Sequence, residues 1–564
     1  MRAVADLRYT RNQNETTSFL SPNSVTYKDY GEGMSDVTTE DEILRGRYTY
    51  SQVKQEALEG NLLVTWSRNI GKHFATASAG VSMSDSRSVV YGFTAQGFGG
   101  NDASEPAYAE GYEEGGVPNN SEGHTRLASF FASANYAFDS RYLFDFSYRL
   151  DGSSQFGSAE NVAPFYSIGL GWNVHNEAFI RKLNFVNVLK LRATYGELGS
   201  ISFSPYQAKD IYAATKNDRY DGNIGVVLQG LGNENLRWQT TKSYDFGLTL
   251  GLFDRFDFSL SFYKKETHDM VLPVTTPPSV GFDSFTENLG RMRNTGYELS
   301  LRAFAIKKKT FNVSVFLNAS HNKNKILSIS SALESYNKSI DNSEGKTENE
   351  YKQASHKFLT KYEEGQSTTA IYAVRSLGID PMTGEELFLT KEGKPTWIWN
   401  ALDKIVVGDT EPKIRGTFGV NVGWKGLYMN ATFAYQYGGE AYNQTVVDKV
   451  ENSNKYQNVD KRVLTETWQK PGDVVKYKAN VTSRLVQYFT YASSRFVQDL
   501  NYLQFSSFSL QYEMPKNWIS CLRMESLRFS FNMSDLFYWS TVKRERGTSY
   551  PFARSFTVGL RANF

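Results

Sequence analysis

Residues 128–150 read ASFFASANYAFDSRYLFDFSYRL. Ala128, Phe130, Ala132, Ala134, Tyr136 and Phe138 fall at every second position. Asp139-Ser140 interrupts the run. Tyr142, Phe144, Phe146, Tyr148 and Leu150 then resume it, with Leu143, Asp145, Ser147 and Arg149 between them. Period two is the side-chain period of a strand, and two such runs joined by a short polar link make a tight hairpin. A half-buried soluble sheet can carry this alternation. A strand wall between lipid and lumen must carry it, because the two sides face different solvents.

The same unit recurs along the chain. Leu62, Val64 and Trp66 turn at Gly71 into Ala75, Ala77, Ala79, Val81 and Met83. Tyr166, Ile168, Leu170 and Trp172 precede Leu189, Leu191, Ala193 and Tyr195. Similar pairs lie at 244–262, 297–319, 418–435 and 499–533. The last strand sets Phe556, Val558, Leu560, Ala562 and Phe564 against Thr557, Gly559, Arg561 and Asn563. Its apolar alternates Phe556, Val558, Leu560 and Phe564 resemble the C-terminal signal read by outer-membrane insertion machinery. The plainer reading makes Phe564 an interfacial anchor.

Composition fits. The 564 residues are 40% hydrophobic yet 15% aromatic, with 35 Tyr and 38 Phe. Only half of each barrel strand is apolar, and loops are polar, so modest hydrophobicity is expected. No apolar run is long enough for a transmembrane helix. The net charge of +2 gives no steering toward nucleic acid. Cys521 is the single cysteine, which excludes an internal disulfide.

Long polar stretches at 11–46, 86–124, 197–237, 268–293, 323–413, 438–498 and 534–552 separate the hairpins. Short turns alternating with long loops match outer-membrane barrels, with the long loops extracellular. The expected fold is an all-β, transmembrane antiparallel β-barrel of about 16 strands, an even number with both ends on the periplasmic side. A soluble propeller is the alternative that the loop lengths disfavour. Met1 to Tyr9 has no apolar leader segment and alternates as a strand does. The expectation is therefore the C-terminal part of a longer barrel protein, without a signal peptide.

Several separated segments resemble the SusC/RagA family of TonB-dependent outer-membrane transporters. Arg149-Leu150-Asp151-Gly152-Ser153-Ser154-Gln155-Phe156-Gly157 resembles its R-x-DGSSxFG segment. Pro164-Phe165-Tyr166-Ser167 through Trp172 resembles FPSxxxxW, and Leu189-Lys190-Leu191-Arg192-Ala193-Thr194-Tyr195-Gly196 resembles LKLRxSYG, with Gly199-Ser200 where Gly-Asn is usual. Asn233-Glu234-Asn235-Leu236-Arg237-Trp238 is similar to NPxLKWE, with Gln239 replacing Glu. Tyr263 to Thr267, Asn294 to Glu298, Gly378 to Gly384 and Asn532 to Phe537 are similar to YxKxT, NxGxE, GxDPxTG and the late NLF motif, the last with Asp535 for Asn. The matches run in family order from residue 126 to the end. The resemblance implies a barrel of about 22 strands around a plug, of which this chain would supply about 16. It also implies that the plug domain and TonB box lie outside this chain, with TonB energisation and a SusD-like surface lipoprotein as lid. The Asn and Asp residues of these motifs read as turn formers.

Catalytic signatures are missing from the sequence. His73, His124, His175, His268, His321 and His356 are too scattered for a helical zinc pair. Gly345-Lys346-Thr347 has Ile340 where a P-loop needs Gly, and Gly97, Gly99 and Gly100 lack dinucleotide spacing. His124 near Ser129 invites a hydrolase reading, against the plainer reading of a solvated loop His. No catalytic residue, metal ligand or cofactor is assigned, and the expectation is a non-enzyme. The acidic runs Glu110 to Glu114 and Glu344 to Glu350 offer oxygen ligands for Ca²⁺ without an EF-hand spacing.

The expected function is outer-membrane nutrient import of oligosaccharides or oligopeptides. Candidate lumen-facing residues are the polar alternates Asp145, Arg149, Arg192, Asp245, Asp257, Glu298, Arg302, Asn312, Asn318, Asn430 and Gln436. Tyr108, Tyr112, Trp397 and Trp399 lie in outward loops and offer aromatic faces to substrate or lid, or pack the loops together. Expected partners are outer-membrane lipids, the lipoprotein, the TonB complex of the full-length protein, and a glycan or peptide. A porin-like channel and an adhesion or structural barrel remain the alternatives.

Overall fold

The computed structural model describes residues 1–24, 44–98, 104–112, 118–157, 161–220, 223–275, 284–288, 290–329, 337, 361–453, 459–479, 482–483, 486–487, 490–520, 523–543 and 554–564. Its main feature is one antiparallel sheet of 17 strands, one of them the two-residue Gly111–Tyr112. The others are β1 (Arg2–Leu20), β2 (Arg47–Ile70), β3 (His73–Gln96), β4 (Asn119–Phe138), β5 (Tyr142–Ser153), β6 (Val162–Asn173), β7 (Val186–Ser200) and β8 (Gln239–Leu252). They continue with β9 (Phe256–His268), β10 (Arg291–Lys307), β11 (Phe311–Ser328), β12 (Ile414–Trp424), β13 (Leu427–Tyr437), β14 (Tyr502–Glu513), β15 (Ser526–Ser540) and β16 (Phe556–Asn563). Each pairs with the next in chain order, an up-and-down meander. Among the described residues β1 pairs only with β2, and β16 only with β15.

The inner connections are tight where the sequence places turns. Asp139 and Ser140 both have left-handed φ, 50° and 54°. Lys425 and Gly426 do the same at 46° and 89°. Paired positive φ values match the right-handed twist of the flanking strands. The outer connections hold 21–46, 97–118, 154–161, 201–238, 269–290, 329–413, 438–501 and 541–555.

Several loop boundaries are corrected. Residues 11–20, 86–96, 119–124, 197–200, 291–293, 323–328 and 534–540, expected in loops, belong to β1, β3, β4, β7, β10, β11 and β15. β2 and β3 run 24 residues each, about twice what a tilted strand needs to cross the hydrocarbon. Where β1 and β2 run outward together both sides turn polar: Arg11 pairs with Glu56, Asn12 with Gln55 and Gln13 with Lys54. Above the membrane neither side needs to be apolar, so the alternation fades while the ladder continues.

The apolar alternates share one side. Tyr142, Phe144 and Phe146 are exposed, as are Tyr166, Ile168, Leu170 and Trp172 on β6. Aromatic ladders cross this side, among them Phe138–Tyr142–Trp172 and Phe418–Phe433–Phe505. Phe556, Val558 and Leu560 continue it opposite Met533, Phe531 and Phe529. Phe564 follows the end of β16 and is exposed.

Candidate functional site

The strand register arranges the polar alternates into transverse rows on the opposite side. Asp145, Gly169, Thr194, Asp245, Tyr263 and Gly296 form one row. Arg192, Gly247, Ser261, Glu298, Ser320, Arg415 and Gln436 form another. Arg192 links the two rows: its Nη2 donates to Asp245 Oδ1 at 3.0 Å and to Ser261 Oγ at 3.2 Å. The guanidinium lies over Gly247, where a Cβ would crowd it. Asp257 stands opposite Arg302 on the next strand. Arg149 sits nearer the outer end, donating to Asp151 at 2.5 Å and to Ser129 Oγ at 2.9 Å.

From β9 to β13 uncharged side chains form a hydrogen-bonding ladder between the charged Asp257, Glu298, Arg302 and Arg415. Tyr263 Oη donates to Asn322 Oδ1, and Asn322 and Asn324 both donate to Asn294 Oδ1. Lower down, Ser300 donates to Asn318, Asn318 to Thr417, and Asn430 to Asn421. Asn312 faces Gly423. Asn322 and Asn324 escape a reading by sequence because His321 to Lys325 is polar at every position. Its only signal is Asn at alternate positions, which a loop also tolerates.

Three family-like segments meet on this inner side beneath the outer end. Phe156, Phe165, Leu236 and Trp238 are buried together with Ala208 and Val271. Trp238 stacks on Phe156 at 4.7 Å and meets Phe165 edge-on at 5.5 Å. Gly157 lies against the Glu234 backbone with no room for a side chain. The turn-former reading of Asn233 holds: its Oδ1 accepts from Asn235 N at 3.0 Å, and its amide donates to Thr286 O. Phe156, Leu236 and Trp238, by contrast, serve loop packing.

The described parts of 361–413 and 438–501 build a second, larger outer body. Ala370–Ile379 is central in a four-stranded sheet with Glu386–Leu389, Pro395–Thr396 and Lys404–Asp409. Val374 bridges to Ser493, so the two connections share backbone bonds. Ile371, Tyr442, Val446, Val447, Val450 and Phe496 form its core. Asp380 caps its own turn, accepting from Met382 N and Thr383 Oγ1, and Gly384, at φ 74°, lies flat against Trp468.

Buried charge holds this body together. Arg495 donates to Glu386 Oε2 at 2.8 Å and to Glu451 Oε2 at 3.0 Å. Thr490 and the Lys478 amide also donate to Glu451. Burial alone would raise the Glu451 carboxyl, but the Arg495 charge and hydrogen bonds outweigh it and hold the carboxyl below its ordinary range. Burial pushes the Lys478 ammonium down to about 8 against the pull of Glu451 and Glu386.

The aromatic loop residues divide. Trp399 stacks on Tyr491 at 4.9 Å and donates to Ala492 O at 3.1 Å, so it packs the loops. Trp397, Tyr108 and Tyr112 are exposed, as are Ile398 and Leu402. His124 and Ser129 do not meet. They point to opposite sides of β4, His124 toward Asp85 and Ser129 toward Arg149. Among the described residues no cluster of three or more His, Cys, Asp or Glu side chains could hold a metal. Cys521, His356, Gly345 to Thr347 and the run Glu344 to Glu350 lie outside the described residues, as do Glu113 and Glu114.

A family model described as TonB dependent receptor-like, beta-barrel matches residues 2–379. The chain belongs to this family. It is an outer-membrane β-barrel of the TonB-dependent receptor type. TonB-dependent receptor P3 of Formosa agariphila is 28% identical over 499 residues, covering 80% of this chain and 47% of the relative. TonB-dependent receptor SusC of Bacteroides thetaiotaomicron is 31% identical over 207 residues, covering 36% of this chain and 21% of the relative. The barrel fold matches the structure of the RagAB peptide transporter at a TM-score of 0.78 and 23% identity, over 96% of this chain and 56% of that one. The chain spans about half the length of the curated relatives it matches.

Proposed function

We propose that this TonB-dependent receptor barrel is the wall of a nutrient importer for oligosaccharides or oligopeptides. The observation that carries the proposal is the inner wall itself. Arg192 and Asp245 meet on one side, and a ladder of Asn, Ser and Thr side chains lines the other. Hydrogen-bonding groups at this density suit the hydroxyls of a sugar or the amides of a peptide. The exposed Trp397, Ile398 and Leu402 at the outer end suit a partner that covers the mouth, which we assign to a SusD-like lipoprotein. The peptide transport named for RagAB supports the peptide class. Energy is assigned to the TonB complex acting on the full-length protein. No covalent chemistry is assigned to the barrel.

Uptake by cells lacking the gene tests this reading. Complementation with the full-length gene restores growth on the cognate oligosaccharide or oligopeptide only when TonB is present. Restoration without TonB contradicts it and favours a passive channel, which a wall of about 16 strands can enclose.

A further inference from the structure

At its outward end the lipid-facing side of β1 to β6 carries a two-part cavity. Leu7, Gly60, Met83, Ala128, Gly152 and Val162 form one transverse row. Gly60, Ala128 and Gly152 are the small members of the row, and Leu7, Leu58, Met83 and Val162 wall an apolar groove of about 630 Å³ over them. Ala128 shares its side with Phe130, while Leu127 points the other way into the inner aromatic cluster. The groove therefore opens toward the membrane and not toward the lumen.

One row further out the charged pair Asp85 and Arg126 stands beside Leu58. Here a second cavity of about 140 Å³ is lined by His124, Arg126, Ser154, Gln155, Tyr206 and Lys209, together with Phe156 and Ala208 of the inner aromatic cluster. It shares Arg126 and Ser154 with the groove. Arg126 donates through Nε to Asp85 at 2.9 Å, and His124 Nε2 meets the other Asp85 oxygen at 2.8 Å. The Arg126 Nη groups and the Lys209 ammonium have no partner among the described residues. The neighbouring Arg87 and Glu122 satisfy each other through two hydrogen bonds. Asp210, next to Lys209, is occupied by the Gly232 amide. The cavity is left with cationic donors aimed at an anion, directly above an apolar trough.

We propose that this is a binding site for one phosphorylated, acylated glycolipid of the outer leaflet. The phosphate sits among Arg126, Lys209 and Ser154, and one acyl chain lies along Gly60, Ala128 and Gly152. The smaller cavity accommodates a phosphate but not a sugar ring. Guanidinium and ammonium donors are suited to phosphate oxygens. The assignment to the outer leaflet rests on the outward orientation of the long loops.

Native mass spectrometry of the full-length protein in detergent tests the proposal, with diphosphoryl lipid A, dephosphorylated lipid A and phosphatidylglycerol as probes. Heat-modifiability of each variant reports folding. One diphosphoryl lipid A binds per barrel, and the dephosphorylated form binds at least about tenfold more weakly. R126A/K209A, both exposed positions, removes that difference. A128W, which fills the groove, weakens both forms. Equal binding of diphosphoryl lipid A by the wild type and R126A/K209A overturns the site and leaves the importer reading standing. Tighter binding of phosphatidylglycerol than of lipid A through the same residues overturns the outward orientation, on which both readings depend.

Discussion

The indole of Trp238 stacks on the ring of Phe156 at 4.7 Å and 29°, although the two residues belong to different outer connections. Phe203 meets Phe156 edge-on at 5.1 Å. The contact ties the β5–β6 connection to the β7–β8 connection over the inner wall.

Phe156→Ala and Trp238→Ala should release these connections without unfolding the barrel. Truncating a buried aromatic costs about 3–5 kcal/mol. Hydrogen exchange should quicken at 154–157 and 233–238 and stay unchanged in β4 and β5. Tyr108→Ala, at an exposed ring, should change nothing. Unchanged exchange in both core variants would contradict the packing role.

Much of this was legible before the structure, for a physical reason. A wall between lipid and lumen must alternate, so Tyr142 to Arg149 declares its strand, its side and its turn. The outer halves of β1 and β2 escaped because both sides meet water, and Arg11 opposite Glu56 leaves no periodic trace. Asn322 and Asn324 were hidden by equally polar neighbours. Phe156 and Trp238 stood in recognisable segments. Contact between distant loops has no local period, however, so their packing was invisible. Trp399 likewise gave no sign that it packs on Tyr491 and not on a ligand.

Arg495→Met should loosen the outer body, because Glu386 and Glu451 would remain buried without their cation. Breaking one partner from a buried pair costs roughly 3–5 kcal/mol. Protease cleavage within 361–413 and 438–501 should rise sharply. R495M with E386Q and E451Q should recover part of the loss. Equal resistance of wild type and R495M would refute the role.

The same body should respond to pH at both ends of the scale. The Glu451 carboxyl is lowered on folding from its ordinary 4.5. Its contribution is present above that value and lost as pH falls through the lowered one. Lys478 is pushed down to about 8 from 10.5, so the unfolded body binds its proton more tightly. Stability should therefore rise as pH climbs from 8 to 10.5. Protease resistance measured across both windows checks the two signs, and K478M should abolish only the alkaline gain.

Arg192→Ala and Asp245→Ala should alter passage and not folding. The Arg192 side chain is 51% exposed, so losing the ion pair should change stability by no more than about 1 kcal/mol. Uptake of charged cargo should shift in opposite directions in the two variants, with neutral cargo less affected. Identical uptake profiles in both would remove these residues from the pathway.

The central claim is that the polar and apolar alternates of each strand face different solvents across an outer membrane. Single cysteines at positions 142 to 149, in a background where Cys521 is replaced by Ser, measure this directly when spin-labelled in the reconstituted full-length protein. The account predicts that 142, 144, 146 and 148 collide with oxygen dissolved in lipid. It predicts that 143, 145, 147 and 149 collide with an aqueous nickel complex, in strict alternation. A flat profile, or aqueous contact at Phe144 and Phe146 with lipid contact at Asp145, would contradict it.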